Sequence, residues 1–598
     1  MDGIEGILKR YWGYSGFRPL QREAMECVLA GRDSIVVLPT GGGKSLCFQV
    51  PALALPGLTL VISPLISLMK DQLDALTECG VAAGRLDSSM SSKEKAEVFR
   101  RLDAGELKLL YVSPERLLME GFLDSLKARG VSSVAIDEAH CVSMWGHDFR
   151  PEYRKLRVLR QALPGVPVGA YTATATGQVR GDIAAQLLLD SPETLVGDFD
   201  RPNLIYRCRR RTGAVKQIRE VLDRHPKESG IVYCIRRTDV DETAQALAGH
   251  GYRVAPYHAG MSDAERKASQ DAFIREDVDV IVATVAFGMG IDKSNVRYVV
   301  HAGMPKSLEH YQQESGRAGR DGLDAECVLL YSGGDYRIWR SIIEESEPQT
   351  AEVGLAKLSR MYRYCTSVGC RHRTLLEYFG QGYAAASCRA CDICLGEVEG
   401  VPDALVIAQK ILSSVVRQQE RFGADYTAGV LVGSREDRIV ANRHDRLSTY
   451  GLLKEATRPV VRDWIEQLAE QEYLARVGEY NVLKLTEKGL RALRGEETPL
   501  LLEAPKKKSA SKKPFPDVKD DSWAGVDKAL FEALRQLRRR LAAEGGVPAY
   551  VIFGDATLRD LARRRPVTKE ALLQVSGVGL KKLDQYGDQI LGEIKRHL

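Results

Sequence analysis

Between residue 31 and about residue 200, short runs of β-branched and apolar residues alternate with stretches of helical period. The clearest runs are Ser34-Ile-Val-Val-Leu38, Leu58-Thr-Leu-Val-Ile62, Lys108-Leu-Leu-Tyr-Val112 and Ser133-Val-Ala-Ile136. Each has the length of a strand and ends in a turn, with chemically active residue types just beyond it. That alternation predicts a parallel sheet with crossover helices, its ligands gathered at the carboxyl ends of the strands. The pattern restarts at Gly230-Ile-Val-Tyr-Cys234 and continues through Arg253-Val-Ala-Pro-Tyr257, Asp279-Val-Ile-Val-Ala283 and Val296-Arg-Tyr-Val-Val300. From about 335 the chain reads as helical and gathers cysteines. Residues 400–495 stay mostly helical until Tyr473-Leu-Ala-Arg-Val477 and Tyr480-Asn-Val-Leu-Lys-Leu485 flank Gly478-Glu479. Helices closed by such a hairpin describe a winged helix. Pro505-Lys-Lys-Lys-Ser-Ala-Ser-Lys-Lys-Pro514 has the composition of a linker.

The expected fold is therefore α/β, two tandem parallel-sheet domains at 1–204 and 205–335. A helical metal-binding segment at 336–398, a winged helix at 399–500, a flexible basic linker at 501–524 and a small all-α module at 525–598 follow. A length of 598 residues accommodates that many domains. No stretch approaches the roughly 20 apolar residues of a membrane helix, and MDGIEGILKRYWGYSGF lacks the charged-then-apolar order of a secretory signal. A cytoplasmic protein without a membrane partner is expected. Twelve cysteines, only four of them close together, fit reduced thiols plus one metal cluster better than a disulfide framework. The net charge of +5 is too small to identify a partner, whereas Lys506, Lys507, Lys508, Lys512 and Lys513 crowd the linker.

Thr40-Gly-Gly-Gly-Lys-Ser45 follows the first predicted strand and precedes a helical stretch. Backbone N–H groups from Thr40, Gly41, Gly42 and Gly43 can there approach phosphates, Lys44 can reach the terminal phosphates, and Ser45 can offer its hydroxyl to Mg²⁺. Leu38 stands where the pattern G-x-x-x-x-G-K-[ST] has its first glycine, so the strand-before and helix-after context carries the reading. Asp137-Glu-Ala-His140 supplies the second strand end that phosphoryl transfer needs: Asp137 for the Mg²⁺ shell and Glu138 to polarise an attacking water. Cys370 together with Cys388-Arg-Ala-Cys391-Asp-Ile-Cys394 offers four thiolates, the stoichiometry of a closed tetrahedral Zn²⁺ site. Spacing alone leaves Cys365 as an alternative to Cys370, and an iron–sulfur cluster or metal-free buried thiols as alternatives to zinc.

These residues resemble superfamily 2 helicases, and further motifs narrow the resemblance to the RecQ family of DNA helicases. Tyr14-Ser-Gly-Phe-Arg-Pro-Leu-Gln21 is similar to the family's adenine-recognition motif, which implies Tyr14 and Arg18 packed on the base and Gln21 on its edge. Ser63-Pro-Leu-Ile-Ser-Leu-Met-Lys-Asp-Gln72, Tyr111-Val-Ser-Pro-Glu-Arg116 and Thr172-Ala-Thr-Ala175 continue the match in the first domain. In the second, Tyr257-His-Ala-Gly260, Ala283-Thr-Val-Ala-Phe-Gly-Met-Gly-Ile-Asp292 and Gln313-Glu-Ser-Gly-Arg-Ala-Gly-Arg-Asp-Gly322 do so. The resemblance implies that Arg317 and Arg320 reach the γ-phosphate across the domain gap, and it adds His140 and Gln313 to the ATP site. A solvated helix face is the bland alternative for the two arginines. Cys141-Val-Ser-Met-Trp-Gly-His-Asp-Phe-Arg150 resembles the family's aromatic-rich loop, implying DNA contact by Ser143, Trp145, His147, Phe149 and Arg150, with Met144 standing where glutamine is expected.

Cys370-Arg-His-Arg-Thr-Leu-Leu-Glu-Tyr-Phe-Gly380 matches the family at the metal site. Arg421-Phe-Gly423 and Arg446-Leu-Ser-Thr-Tyr-Gly451 resemble its winged helix, the RQC domain, and Val575-Ser-Gly-Val-Gly579 its terminal HRDC module. In that module Arg538 to Arg540 and Arg563 to Arg565 either bind phosphate or are ordinary charged surface. By this resemblance both α/β domains are RecA-like, the cofactors are ATP, Mg²⁺ and Zn²⁺, and the activity is 3′ to 5′ DNA unwinding in recombination and repair. Implied partners are single-stranded and forked or branched DNA, single-strand-binding protein and a topoisomerase, in a bacterial cytoplasm beside the nucleoid. An RNA helicase would share the motor but not the cysteines, winged helix and terminal module together. A DNA-holding protein with a dead motor would not need Lys44, Asp137, Glu138, Arg317 and Arg320.

Overall fold

The computed structural model describes residues 3–146, 148–287, 293–398, 400–478, 481–502, 523–547 and 549–598. Seven strands come first: β1 (Ser34–Val37), β2 (Leu58–Ile62), β3 (Ala83–Leu86), β4 (Leu109–Val112), β5 (Val131–Ile136), β6 (Val168–Thr172) and β7 (Glu193–Val196). They form one sheet in the order β3-β4-β2-β5-β6-β1-β7, and every pair is parallel. A second parallel sheet is built from β8 (Leu204–Arg210), β9 (Ser229–Tyr233), β10 (Val254–Tyr257), β11 (Val280–Ala283), β12 (Val296–His301) and β13 (Ala325–Tyr331). Its order is β10-β11-β9-β12-β13-β8. β1, β2 and β4 are buried along their whole length, because helices cover both faces of a parallel sheet and the strands read as unbroken apolar runs.

β8 escapes that reading because it carries Arg207, Arg209 and Arg210. Arg207 is buried against Glu326 at 3.0 Å and Glu397 at 2.5 Å, so its charge is paired rather than solvated. β8 is also the sheet's last strand, and the cysteine segment covers it: Tyr206 N–H donates to the Ala390 carbonyl at 3.0 Å and Asp392 N–H to the Tyr206 carbonyl at 2.9 Å.

The helices Pro348–Thr366 and Arg371–Tyr378 wedge between the lobes. Leu376 and Phe379 join the first lobe's core, and Cys370, Leu375 and Cys391 join the second's; Phe379 stacks on Phe199 with ring centroids 4.8 Å apart. Beyond them a separate core around Ile411, Leu412, Trp464 and Leu468 carries the antiparallel hairpin β14 (Leu474–Val477) and β15 (Val482–Leu485). Tyr480, and residues 503–522 of the expected linker, lie outside the described residues. Among the described residues no helix is long and apolar enough to cross a membrane.

The terminal module has its own core around Leu534, Leu558, Leu572 and Ile594 and docks onto the second lobe. Glu276, 2% exposed, meets Arg538 at 3.0 Å, Arg539 at 2.9 Å, Arg535 at 3.8 Å and Lys293 at 3.5 Å. Arg538 also pairs with Asp555 at 2.7 Å. The expectation that Arg538 offers phosphate affinity is thereby corrected: at 1% exposure its guanidinium is committed to carboxylates of its own chain. Arg563, Arg564 and Arg565 remain exposed.

Candidate active site

The carboxyl ends of β5, β6 and β1, three neighbours in the first sheet, present Asp137, Thr172 and the loop from Leu38 to Ser45 side by side. Gly41 and Gly43 sit at φ +81° and +76°, the left-handed region that side chains disfavour. Packing adds a second demand for glycine, since a Cβ on Gly43 would lie 2.2 Å from Gln21 Nε2 and one on Gly42 2.8 Å from the Pro39 carbonyl oxygen. Ser45 immediately precedes the helix Leu46–Ala54, whose first N–H groups turn back onto the loop: Leu46 N–H donates to the Gly43 carbonyl at 3.2 Å and Cys47 N–H to that of Lys44 at 3.0 Å. This curled loop fits a phosphate cradle. Lys44 Nζ donates to the Leu38 carbonyl at 3.1 Å, and burial lowers its pKa against the pull of Glu138 and Asp137.

Gln21 differs from the expected base contact. It is 2% exposed; its Oε1 accepts from Arg18 N–H at 2.8 Å, and its Nε2 donates to the Gly42 and Gly43 carbonyls at 3.2 and 3.1 Å. The amide is engaged in holding the loop. Arg18 also reaches the Gly41 carbonyl, while Tyr14 is 53% exposed.

Asp137 continues β5, and its Oδ1 accepts from Glu138 N–H at 3.0 Å. Glu138 lies at φ +48°, a conformation that costs about 1–3 kcal/mol in a residue with a side chain and persists only where the surroundings hold it. The consequence is that two consecutive carboxylates part company. Glu138 Oε2 lies 3.3 Å from His140 Nδ1, which is also 2.9 Å from Thr172 Oγ1. Burial, and then the Glu138 charge, raises the pKa of Asp137. Burial acts upward on Glu138 too, but His140, Lys44 and Arg317 outweigh it and hold that carboxyl low. A cation held at Asp137 would favour its ionised form.

Arg317 and Arg320 lie in the turns just after the helix Leu308–Ser315. Arg317 is 6% exposed, which excludes a solvated helix face. Arg320 Cγ is 3.5 Å from where a Cβ on Gly41 would sit, so the second lobe closes directly on the loop. Arg201, missed in the sequence reading, fastens that closure: it donates to the Thr40 carbonyl at 3.2 Å and to those of Gly316, Ala318 and Gly319 at 3.3, 2.9 and 2.9 Å. Its signal was a lone arginine in the chain joining the sheets. Gln312, rather than the expected Gln313, lines the crevice beside Thr40, because successive helical positions turn by about 100°; Gln313 is half-buried on the same helix. That crevice, lined also by Ala173, Thr174 and Arg201, holds about 10 Å³.

In the aromatic-rich loop Trp145 is 41% exposed and Ser143 is buried, with Trp145 N–H donating to Ser143 Oγ at 3.1 Å. Phe149 is half-buried beneath Arg154, 5.0 Å from its ring centroid. Arg150 donates to the Pro64 carbonyl at 3.1 Å and to Asp148 at 3.1 Å. His147 lies outside the described residues. A Cβ on Gly146 would meet the His140 carbonyl oxygen at 2.2 Å, so the loop is folded onto the acidic motif.

The sulfurs of Cys370, Cys388, Cys391 and Cys394 all lie within 4.8 Å of one another. A tetrahedron of ~2.3 Å Zn–S bonds places its sulfurs ~3.8 Å apart, so the four fit a zinc ion. Cys391 Sγ accepts from Cys394 N–H at 3.4 Å and Cys388 Sγ from Ala390 N–H at 3.4 Å, contacts that favour thiolates. Cys365 is separate, buried in the second lobe's core at 1% exposure.

Five family models match in succession: DEAD/DEAH box helicase over 18–182, helicase conserved C-terminal domain over 213–322, RecQ zinc-binding over 333–395, RQC domain over 400–511 and HRDC domain over 527–594. A Pasteurella multocida protein named ATP-dependent DNA helicase RecQ is 42% identical over 594 residues, covering 99% of this chain and 93% of that one. Its Haemophilus influenzae namesake is also 42% identical over 594 residues, covering 99% and 95%, and the Bacillus subtilis protein of the same name is 41% identical over 597 residues, covering 99% and 98%. With two parallel-sheet lobes, a four-cysteine knuckle, a winged helix and a terminal helical module in the order those models prescribe, the chain belongs to the RecQ family of ATP-dependent DNA helicases.

Proposed function

We propose that the chain hydrolyses ATP between its two lobes to translocate 3′ to 5′ on single-stranded DNA, and so unwinds duplex and branched DNA in recombination and repair. The observation that carries this reading is convergence on one seam: Lys44, Ser45, Asp137 and Glu138 from the first lobe, Arg317 and Arg320 from the second. Cationic groups from both lobes gather where terminal phosphates would lie, which suits stabilisation of charge developing in the transition state. Tyr14 and Arg18 pack on the base, and Gln21 keeps the loop in shape. Ser45 and Asp137 would hold Mg²⁺, which when bound neutralises phosphate charge. Glu138, ionised and steadied by His140, orients the attacking water. Parting and closing of lobes that both grip one strand produces stepping.

Trp145 stacks on an unpaired base, a contact worth roughly 1–3 kcal/mol. Cys370, Cys388, Cys391 and Cys394 would hold Zn²⁺ with no open position, which makes the metal structural. Single-strand-binding protein and a topoisomerase are the proposed protein partners, and the bacterial cytoplasm beside the chromosome the proposed location.

Partial duplexes with a 3′ or a 5′ tail, made in DNA and in RNA, test the reading. ATP-dependent strand release from the 3′-tailed DNA, abolished by Lys44→Ala, is expected. Preferential opening of RNA or of the 5′-tailed substrate would overturn it.

A further inference from the structure

Lys357 belongs to none of the motifs above. It stands on the helix Pro348–Thr366 of the zinc-bearing segment, and its ammonium group meets both lobes at once. Nζ donates to the Trp145 carbonyl at 2.6 Å and to the Gly146 carbonyl at 3.0 Å. It also pairs with Glu309 Oε1 at 3.0 Å. Trp145 and Gly146 are the exposed turn of the aromatic-rich loop in the first lobe. Glu309 lies in the first turn of the helix Leu308–Ser315 in the second lobe, the helix that runs straight into Arg317 and Arg320.

The stoichiometry is tight. An ammonium has three N–H donors and no acceptor, and here three acceptors share them, two on the loop and one on the helix. Lys357 therefore cannot follow the helix without loosening the loop, or follow the loop without loosening the helix. Side-chain exposures of 15% for Lys357 and 6% for Glu309 keep water from substituting cheaply, and a buried charge that loses its partner is left uncompensated. Burial raises the Glu309 carboxyl, but Lys357, Ser307 and Tyr378 bring it below its ordinary value. Tyr378, from the same zinc-bearing segment, donates its hydroxyl to Glu309 at 2.8 Å and fixes the carboxylate in place.

We propose that Lys357 is a positioning residue that couples strand occupancy at Trp145 to the placement of Arg317 and Arg320. The proposal deepens the helicase reading and rests on it. A base stacking on Trp145 moves the loop's carbonyl groups, Lys357 transfers that displacement to Glu309, and the helix Leu308–Ser315 carries it to the two arginines at its far end. The third segment is thus the go-between of the two lobes.

The test uses the full chain with poly-dT as the strand, following phosphate release with and without it. For Lys357→Met the expected result is a tenfold or greater loss of the DNA-stimulated kcat. DNA-free turnover, the KM for ATP and poly-dT affinity by fluorescence anisotropy stay within about twofold of the unaltered protein. Lys357→Arg, which can still donate to all three acceptors, restores at least half of the stimulation. Glu309→Gln gives the same uncoupling, and the double variant is no worse than either single one, as expected for two halves of one contact. Stimulation within twofold of normal in Lys357→Met overturns the proposal. So does a parallel fall of DNA-free turnover and melting temperature, which marks a merely structural role. Failure of the underlying helicase reading looks different: the unaltered protein itself shows no stimulation by poly-dT.

Discussion

At the lobe seam, Arg317 and Arg320 come up against the glycine loop, Lys44 and Glu138. At the docked terminal module, Arg535, Arg538 and Arg539 converge on Glu276, with Asp555 and Glu532 close by at 2.7 and 3.4 Å. The two arginine groups look alike in the sequence, and each is largely buried in the fold. What differs is the partner that faces them. The module's arginines find carboxylates of their own chain, so their work is adhesion. The seam's arginines stand beside a glycine loop shaped for an anion as well as beside Glu138, whose carboxyl Arg317 helps hold low, and Arg320 adds to the effects that lower the pKa of Lys44. A crowd of cations around a cradle of N–H groups is a site for polyphosphate, whereas a crowd of cations around a carboxylate is a clasp.

The contrast breaks most sharply on rate. Arg320→Ala or Arg317→Ala is expected to cut DNA-stimulated phosphate release about 10³-fold or more with the melting temperature unchanged, whereas Arg538→Ala leaves turnover within about tenfold. Equal losses from the two groups would erase the distinction. Next in size is Glu276→Gln, which leaves guanidinium groups buried without their counter-charge at a cost of about 3–5 kcal/mol in docking. Hydrogen exchange along the helix Lys528–Gly545 should then quicken while phosphate release persists; unaltered protection would show that the clasp lies elsewhere.

The smallest effect is acid. Burial raises the Glu276 carboxyl, but Lys293, Arg538, Arg535 and Arg539 together drive it far below its ordinary value. A depressed carboxylate contributes its full stability above the undocked pKa of about 4.3 and loses it only as the pH falls through the docked value. Docking should therefore hold from neutrality down to about pH 4 and weaken below that, as followed by the scattering radius; release near pH 6 would assign the clasp to a histidine instead.

Much of this was legible in the sequence. Strands buried on both faces announce themselves as apolar runs, and the nucleotide loop, the acidic pair and the four cysteines are each local or nearly so. The parts that were not legible depend on residues far apart in the chain. β8 hides behind Arg207, whose charge is offset by Glu326 and Glu397. The turning apart of Asp137 and Glu138 is a backbone conformation, φ +48°, with no sequence signature. Gln21 serves the loop because the loop's carbonyl groups happen to face it, and Arg538 is lost to the surface because Glu276 lies 262 positions away. Lys357 looks like any lysine on an amphipathic helix until its three acceptors are seen together.

β8 pairs on one side with β13, while on its other side the N–H and carbonyl of Tyr206 bond Ala390 and Asp392. The cysteine knuckle thus acts as a hem stitched along the outermost strand of a motor lobe. Unpicking it would bare a row of amide and carbonyl groups ready to zip onto another chain. Loss of the four thiolates' ligand therefore threatens more than a small appendage, because an uncovered strand edge invites aggregation.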